Sequence, residues 1–198
     1  RVSPVADIVA RRLATLARLL EPITKPTILL TTVPAILQRV VPRTLIEGQR
    51  FSATPGNRVN SDQLISFLAE NGFSRTGTVV DPGDFAVRGG IVDIFPPGSD
   101  APVRLDFFGD ALESIRSFDP ESQRTTSTLK RFTLNPANEV LLNESSIGKF
   151  RVNYAGAFGG IDINDPLYES VTAGRKYQGM EHWLPLFYDE LSTLFDYL

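Results

Sequence analysis

The spacing of apolar residues changes period along this chain, and each change marks an element. Ile8, Val9, Leu13, Leu16 and Leu20 recur at helical spacing behind Ser3-Pro4, which reads as an N-cap with proline in the first turn, and Pro22 ends the run. Thr27 to Thr31 (Thr-Ile-Leu-Leu-Thr) is a short apolar run between Pro26 and Pro34, the pattern of a buried strand in a parallel sheet. A short helix is predicted over 34–40. Helix, strand and helix in this order suggest half of an α/β layer domain whose earlier strands are absent.

Asn60 followed by Gln63 resembles a capping box, Leu64, Ile65 and Leu68 share one helical face, and Gly72 occupies the position just past the helix end. From Thr76 the period drops to two. Strands are predicted over 85–88 and 90–95, then a turn over 96–100, a strand over 103–108, a tight turn at Gly109-Asp110 and a returning strand over 112–118. This is an antiparallel meander packed on one helix. Beyond Pro136 the pattern is helical again over 147–158 and 166–171, and an aromatic-rich stretch runs from Trp183 to Tyr197. The expected organisation is α/β: a first segment at 1–49, an inserted small α+β domain at 50–136, and a return to the first domain at 137–198.

Charge modifies this picture. The net charge is −3, but residues 1–49 carry about +4, residues 50–136 about −2 and residues 137–198 about −5 by their Lys, Arg, Asp and Glu content. A nucleic-acid clamp concentrates basic surface, and the middle of this chain does not. No apolar run approaches the ~18 residues of a membrane span, and the start carries no signal-peptide apolar region, so a cytoplasmic location is expected. With no cysteine and one histidine, neither a disulfide framework nor a thiolate metal site is expected.

Candidate chemistry is sparse. The glycine clusters, Gly89-Gly90 and the run from Ala155 to Gly160, are not followed by Lys-Ser/Thr, so a phosphate-cradling loop is not predicted and the glycines read as turns and bulges. His182 is the obvious candidate for a general base, but no Ser or Asp partner follows from spacing, and a partly buried structural histidine is the expectation. Asp106, Asp110 and Glu113 could be imagined as a carboxylate or Mg²⁺ site; solvated edge charges are the ordinary reading. The strand at 103–108 is more informative. Alternation turns Val103, Leu105 and Phe107 onto the Leu64/Leu68 helix and Arg104, Asp106 and Phe108 the other way. An aromatic beside arginines, with Arg88 brought near from the preceding strand, is the composition of a protein-interface hot spot. In the alternative, Phe108 folds under a loop and the arginines merely solubilise.

At this point a family becomes recognisable. The run Phe85-Ala86-Val87-Arg88-Gly89-Gly90-Ile91-Val92-Asp93-Ile94-Phe95-Pro96 resembles the F-x-x-R-G-x-x-x-D-x-F-P signature of the UvrB-like domains. Within them, Arg104 to Asp110, Glu113-Ser114-Ile115-Arg116, Phe118 to Thr125, Ser3-Pro4 with Asp7-Ile8, and Gly179 to Phe187 resemble the transcription-repair coupling factor (Mfd) family. The resemblance implies that residues 1–49 and 137–198 are parts of a helicase-like α/β domain and that residues 50–136 are an inserted domain that docks UvrA, the damage-recognition protein. It further implies that Arg88, Arg104 and Phe108 contact UvrA, on a surface that intact family members mask with their own carboxy-terminal domain. ATP, Mg²⁺, RNA polymerase and double-stranded DNA would be handled by regions of the longer protein outside these residues, leaving this chain a non-enzymatic binding module without cofactors. A UvrB fragment is disfavoured by Gln123-Arg124-Thr125 and by Gly179 to Trp183. A nucleic-acid-binding sheet using Phe85 and Phe108 as stacking platforms is disfavoured by the acidic balance of the middle segment, and an enzyme using His182 by the missing P-loop. With all three side chains facing solvent, their truncation would leave the fold intact.

Overall fold

The chain's contacts divide it into two units, Thr15–Gly48 with Glu139–Leu198, and Ala6–Ala14 with Gln49–Asn138. The computed structural model describes residues 6–198, and side chains from residue 8 onward. The N-cap expected at Ser3-Pro4 lies outside the described residues. The first helix, α1 (Ala6–Leu19), buries Val9, Leu13 and Leu16 together with Ala10 and Ala17, while Ile8 lies outside the stripe and is exposed.

In the unit made of Thr15–Gly48 and Glu139–Leu198, two short helices, α2 (Val33–Leu37) and α3 (Arg43–Gly48), precede two further helices near the end of the chain, α5 (Glu144–Phe158) and α6 (Pro166–Thr172). Asn143 and Ser146 cap α5 reciprocally, and Gly159, at φ 70°, ends it. Aromatic rings hold this unit. Phe150 stacks on Phe187 at 5.0 Å between centroids, and Tyr154 packs against Tyr168 at 4.8 Å while its hydroxyl donates to Asp165 Oδ2. The aromatic tail forms 3-10 turns (Met180–Leu186 and Leu194–Tyr197) and is tied back by a Val40–Ser192 bridge and by Tyr197 Oη, which donates to the Val41 carbonyl at 2.7 Å.

The strand expected at Thr27 to Thr31 is not formed. The segment has no regular structure, and Ile28 and Leu30 are 86% and 88% exposed. A strand apolar on both faces is stabilised only between neighbours, and none pairs with it among the described residues. The helix expected over 34–40 ends at Leu37.

The unit containing Gln49–Asn138 carries the antiparallel meander. Strand β1 (Phe51–Ala53) is followed by helix α4 (Ser61–Glu70), then β2 (Ser74–Arg75), β3 (Asp84–Arg88), β4 (Ile91–Ile94), β5 (Val103–Phe108), β6 (Ala111–Phe118), β7 (Thr125–Thr128) and β8 (Phe132–Leu134). Strands β2 to β7 form one sheet in sequence order, with β2 parallel to β3 and every other pair antiparallel, and β1 pairs β8 separately. The fold is thus mixed α/β, with a small α+β unit in which a sheet, antiparallel except for the β2–β3 pair, packs on a helix.

Asn60 caps α4 as expected, its side chain accepting from the Gln63 amide at 3.0 Å. Leu64 and Leu68 point from α4 into one core with Phe85, Val92, Ile94, Val103, Leu105, Leu112 and Ile115. Burying each of these leucines stabilises by roughly 1.5–3 kcal/mol. One glycine is dictated by space: a Cβ on Gly90 would lie 2.5 Å from the Phe107 carbonyl oxygen, where the β4 side of the hairpin meets β5. Its neighbour Gly89, at φ 58°, takes the left-handed turn that L side chains rarely adopt.

The candidate partner-binding face

The pleat settles which side chains leave the core. On β5, Val103 and Leu105 are buried and Phe107 packs partly buried against the same core, while Arg104, Asp106 and Phe108 occupy the alternate positions. A register shift between Asp106 and Phe107 is absorbed opposite, where Asp106 faces Ser114 and Phe107 faces Leu112, so β5 keeps its alternation. The sheet face away from α4 therefore presents Arg88 from β3, Asp93 from β4, Arg104, Asp106 and Phe108 from β5, and Arg116 from β6.

Register then selects the partners. Asp93 lies directly opposite Arg104, and its carboxylate is fully buried. An isolated buried carboxylate is costly unless it is paired and hydrogen-bonded. Arg104 meets this need with both arms of its fork, Nε donating to Oδ1 at 2.7 Å and Nη2 to Oδ2 at 2.9 Å. Arg88 Nη2 donates to the same Oδ2 at 2.5 Å. The Arg104 guanidinium also lies 4.6 Å from the centre of the buried Phe118 ring. Hydrogen bonding to Asp93 raises the Arg104 pKa above its ordinary value, opposed by burial and reinforced by the charges of Asp93 and Asp106.

Arg104 and Arg116 face each other across β5 and β6, an arrangement that would repel if both were unpaired. Each instead has its own carboxylate: Arg116 donates to Asp106, which also accepts from the Ser114 hydroxyl at 2.5 Å. The ladder Arg88–Asp93–Arg104 and Asp106–Arg116 is thus nearly charge-balanced. Asp106 and Arg116, with Ile91, Phe107 and Ser114, line a shallow depression of about 610 Å³. At the far end of β5, Phe108 is 77% exposed, just before the Gly109-Asp110 turn.

The three sequence-predicted site residues thus lie on one face but in different states. Arg88 is half exposed at 48% and Phe108 stands in solvent, whereas the Arg104 side chain is only 16% exposed. The expectation that all three face solvent fails for Arg104, because the cross-strand carboxylate and the Phe118 ring enclose it. Arg104 and Phe108 are four residues apart, so the patch extends roughly 13 Å along β5 at about 3.3 Å per residue. Sequence reasoning missed Asp93 as a participant. The signal was present: one carboxylate within the apolar run Ile91 to Phe95 must find a cation.

The other candidates separate. Asp106 is held by Arg116, Asp110 pairs with Arg58 at 3.5 Å, and among the described residues no group of three or more His, Asp or Glu is placed to hold a metal ion. His182 is exposed beside Trp183 rather than partly buried. Gly159 and Gly160 follow the end of α5, as turn glycines. No helix among the described residues is long and apolar enough to cross a membrane.

Comparison with known proteins places this face in context. Residues 51–140 match a family model described as the UvrB interaction domain, an interaction region rather than a catalytic one. The chain is 40% identical over 196 residues to the transcription-repair-coupling factor of Rickettsia prowazekii (strain Madrid E), covering 99% of this chain and 17% of that protein. It is 36% identical over 196 residues to that of Escherichia coli (strain K12), with 98% and 17% covered, and 29% identical over 185 residues to that of Bacillus subtilis (strain 168), with 86% and 16% covered. The chain spans about a sixth of the length of these relatives. The Arg88–Asp93–Arg104 face therefore lies inside a segment matching the UvrB interaction domain, in a chain homologous over nearly all its length to part of the transcription-repair-coupling factors.

Proposed function

We propose that this chain is the UvrA-binding module of a transcription-repair-coupling factor, by which the longer protein recruits UvrA to stalled RNA polymerase. In this reading residues 50–136 are the inserted docking domain and residues 1–49 and 137–198 are two segments of the domain that carries it. RNA polymerase, double-stranded DNA, ATP and Mg²⁺ are engaged elsewhere in the longer protein, and capture of UvrA by this chain needs no cofactor.

One observation carries the reading. A large aromatic, Phe108, is 77% exposed on a sheet face where two arginines are held in fixed orientation by a buried carboxylate. Aromatic and arginine side chains dominate protein-interface energetics, and pre-ordered groups lose less entropy on binding. The near-balance of charge on the face favours a protein surface over the phosphate backbone, which rewards concentrated positive charge. The test is capture of purified UvrA by the immobilised 198-residue chain without nucleotide. Saturable capture is expected; its absence at micromolar UvrA, or preferential binding of duplex DNA at physiological salt, would refute the proposal.

A further inference from the structure

We infer that Asp93 is a positioning residue for partner binding: it touches no partner itself but fixes which edge of Arg104, and which reach of Arg88, the partner meets. The inference rests on the UvrA reading above and adds a residue to it. Asp93 is fully buried, and both of its oxygens are spent on the two arginines. Arg104 has five N–H donors in a planar fork. Two of them, on Nε and Nη2, are committed to Asp93, and the guanidinium is backed by the Phe118 ring. The uncommitted donors therefore leave the fork along one edge, and rotation about the last torsions of the side chain would break both bonds at once. Arg88 is anchored through one nitrogen and keeps 48% of its side chain exposed, so its remaining donors face outward beside that edge. A partner carboxylate or carbonyl meets two guanidinium edges already oriented, neither of which has to be frozen on binding.

Asp93→Asn keeps the volume but places an NH₂ group where an acceptor stood, donor against donor, and the fork must tip out of its plane. The experiment is calorimetric titration of purified UvrA into the 198-residue chain, at a temperature where circular dichroism shows every variant folded. The variants are Asp93→Asn, Arg88→Ala/Arg104→Ala, and all three changes combined. Asp93→Asn is expected to raise Kd about tenfold or more in the parent chain but less than about twofold when both arginines are already absent, the signature of a residue acting through its partners. A purely structural role would impose the same penalty in both backgrounds, and that result overturns the inference. Unchanged Kd for Asp93→Asn, with Arg88→Ala/Arg104→Ala weakened, overturns it while leaving the UvrA reading standing. Unchanged Kd for Arg88→Ala/Arg104→Ala removes the two arginines from UvrA binding and the inference with them, while the Phe108 contact stands or falls separately. Should a charge-deletion variant fail to fold, Arg104→Lys decides: it keeps the charge but cannot span both Asp93 oxygens, so Kd is expected to rise about tenfold, and parent-like binding contradicts the inference.

Discussion

Replacing Arg104 with alanine deletes both arms of the fork that neutralises Asp93 and leaves a fully buried carboxylate with Arg88 alone. Breaking one side of a buried ion pair costs about 3–5 kcal/mol when the remaining charge has no other partner. Here the penalty is smaller, because Arg88 still donates to Oδ2 and the Arg104 side chain is 16% exposed. The contact with the Phe118 ring is also lost, which adds about 0.5–1 kcal/mol. The expected destabilisation is therefore about 2–3 kcal/mol, within the range for breaking a buried charge pair. In a chain of this size that corresponds to a melting temperature lower by roughly 4–12 °C. Thermal and urea denaturation followed by circular dichroism at neutral pH measure it. The double variant Asp93→Ala/Arg104→Ala should recover part of the loss, since no carboxylate remains to be orphaned. An Arg104→Ala chain that melts with the parent would refute the reasoning, because Asp93 would then not depend on the fork.

Phe107 and Phe108 make opposite predictions. Phe107→Ala, partly buried against the core, should cost about 2 kcal/mol, while Phe108→Ala, 77% exposed, should change stability by no more than about 0.5 kcal/mol; the reverse order in urea denaturation would mean that β5 is out of register by one. Gly90→Ala pushes a Cβ against the Phe107 carbonyl oxygen and threatens the 2.7 Å bond from the Phe107 amide to the Gly90 carbonyl, so urea denaturation should register a loss of roughly 1–3 kcal/mol. Tyr154, whose hydroxyl donates to Asp165, is pushed up to about 12, chiefly by that hydrogen bond. A phenol raised on folding contributes stability that is whole below the ordinary tyrosine range, near pH 10, and lost as pH rises toward 12. Ultraviolet titration should show late-ionising tyrosine amplitude that Tyr154→Phe reduces, and unreduced amplitude would contradict the assignment.

Much of the unit containing Gln49–Asn138 was legible because local rules and tertiary packing agree there. Asn60 caps α4, Gly89-Gly90 turn the first hairpin, and the period of two along β5 separates Leu105 from Phe108. The polar strand Thr125–Thr128 has no apolar alternation to announce it, and its place depends on pairing with β6. The segment Thr27 to Thr31 failed for the opposite reason: composition describes a strand suited to burial but cannot supply the neighbours that bury it. The state of Arg104 was hidden for a third reason. Alternation gives the side of the sheet on which a residue lies, whereas its exposure follows from what the adjacent strands bring opposite it. Asp93 and Phe118 arrive there only through the β4–β5 and β5–β6 registers.

The most direct test of the UvrA-docking face is the affinity of purified UvrA for the parent chain and for Phe108→Ala, because Phe108 contributes little to the fold and, in the proposed role, most to the interface. Truncating an interface hot-spot aromatic costs about 2 kcal/mol or more, so Kd should rise roughly 30-fold or more while the melting temperature stays with the parent. Equal affinity for the two chains would contradict the assignment of this face to UvrA.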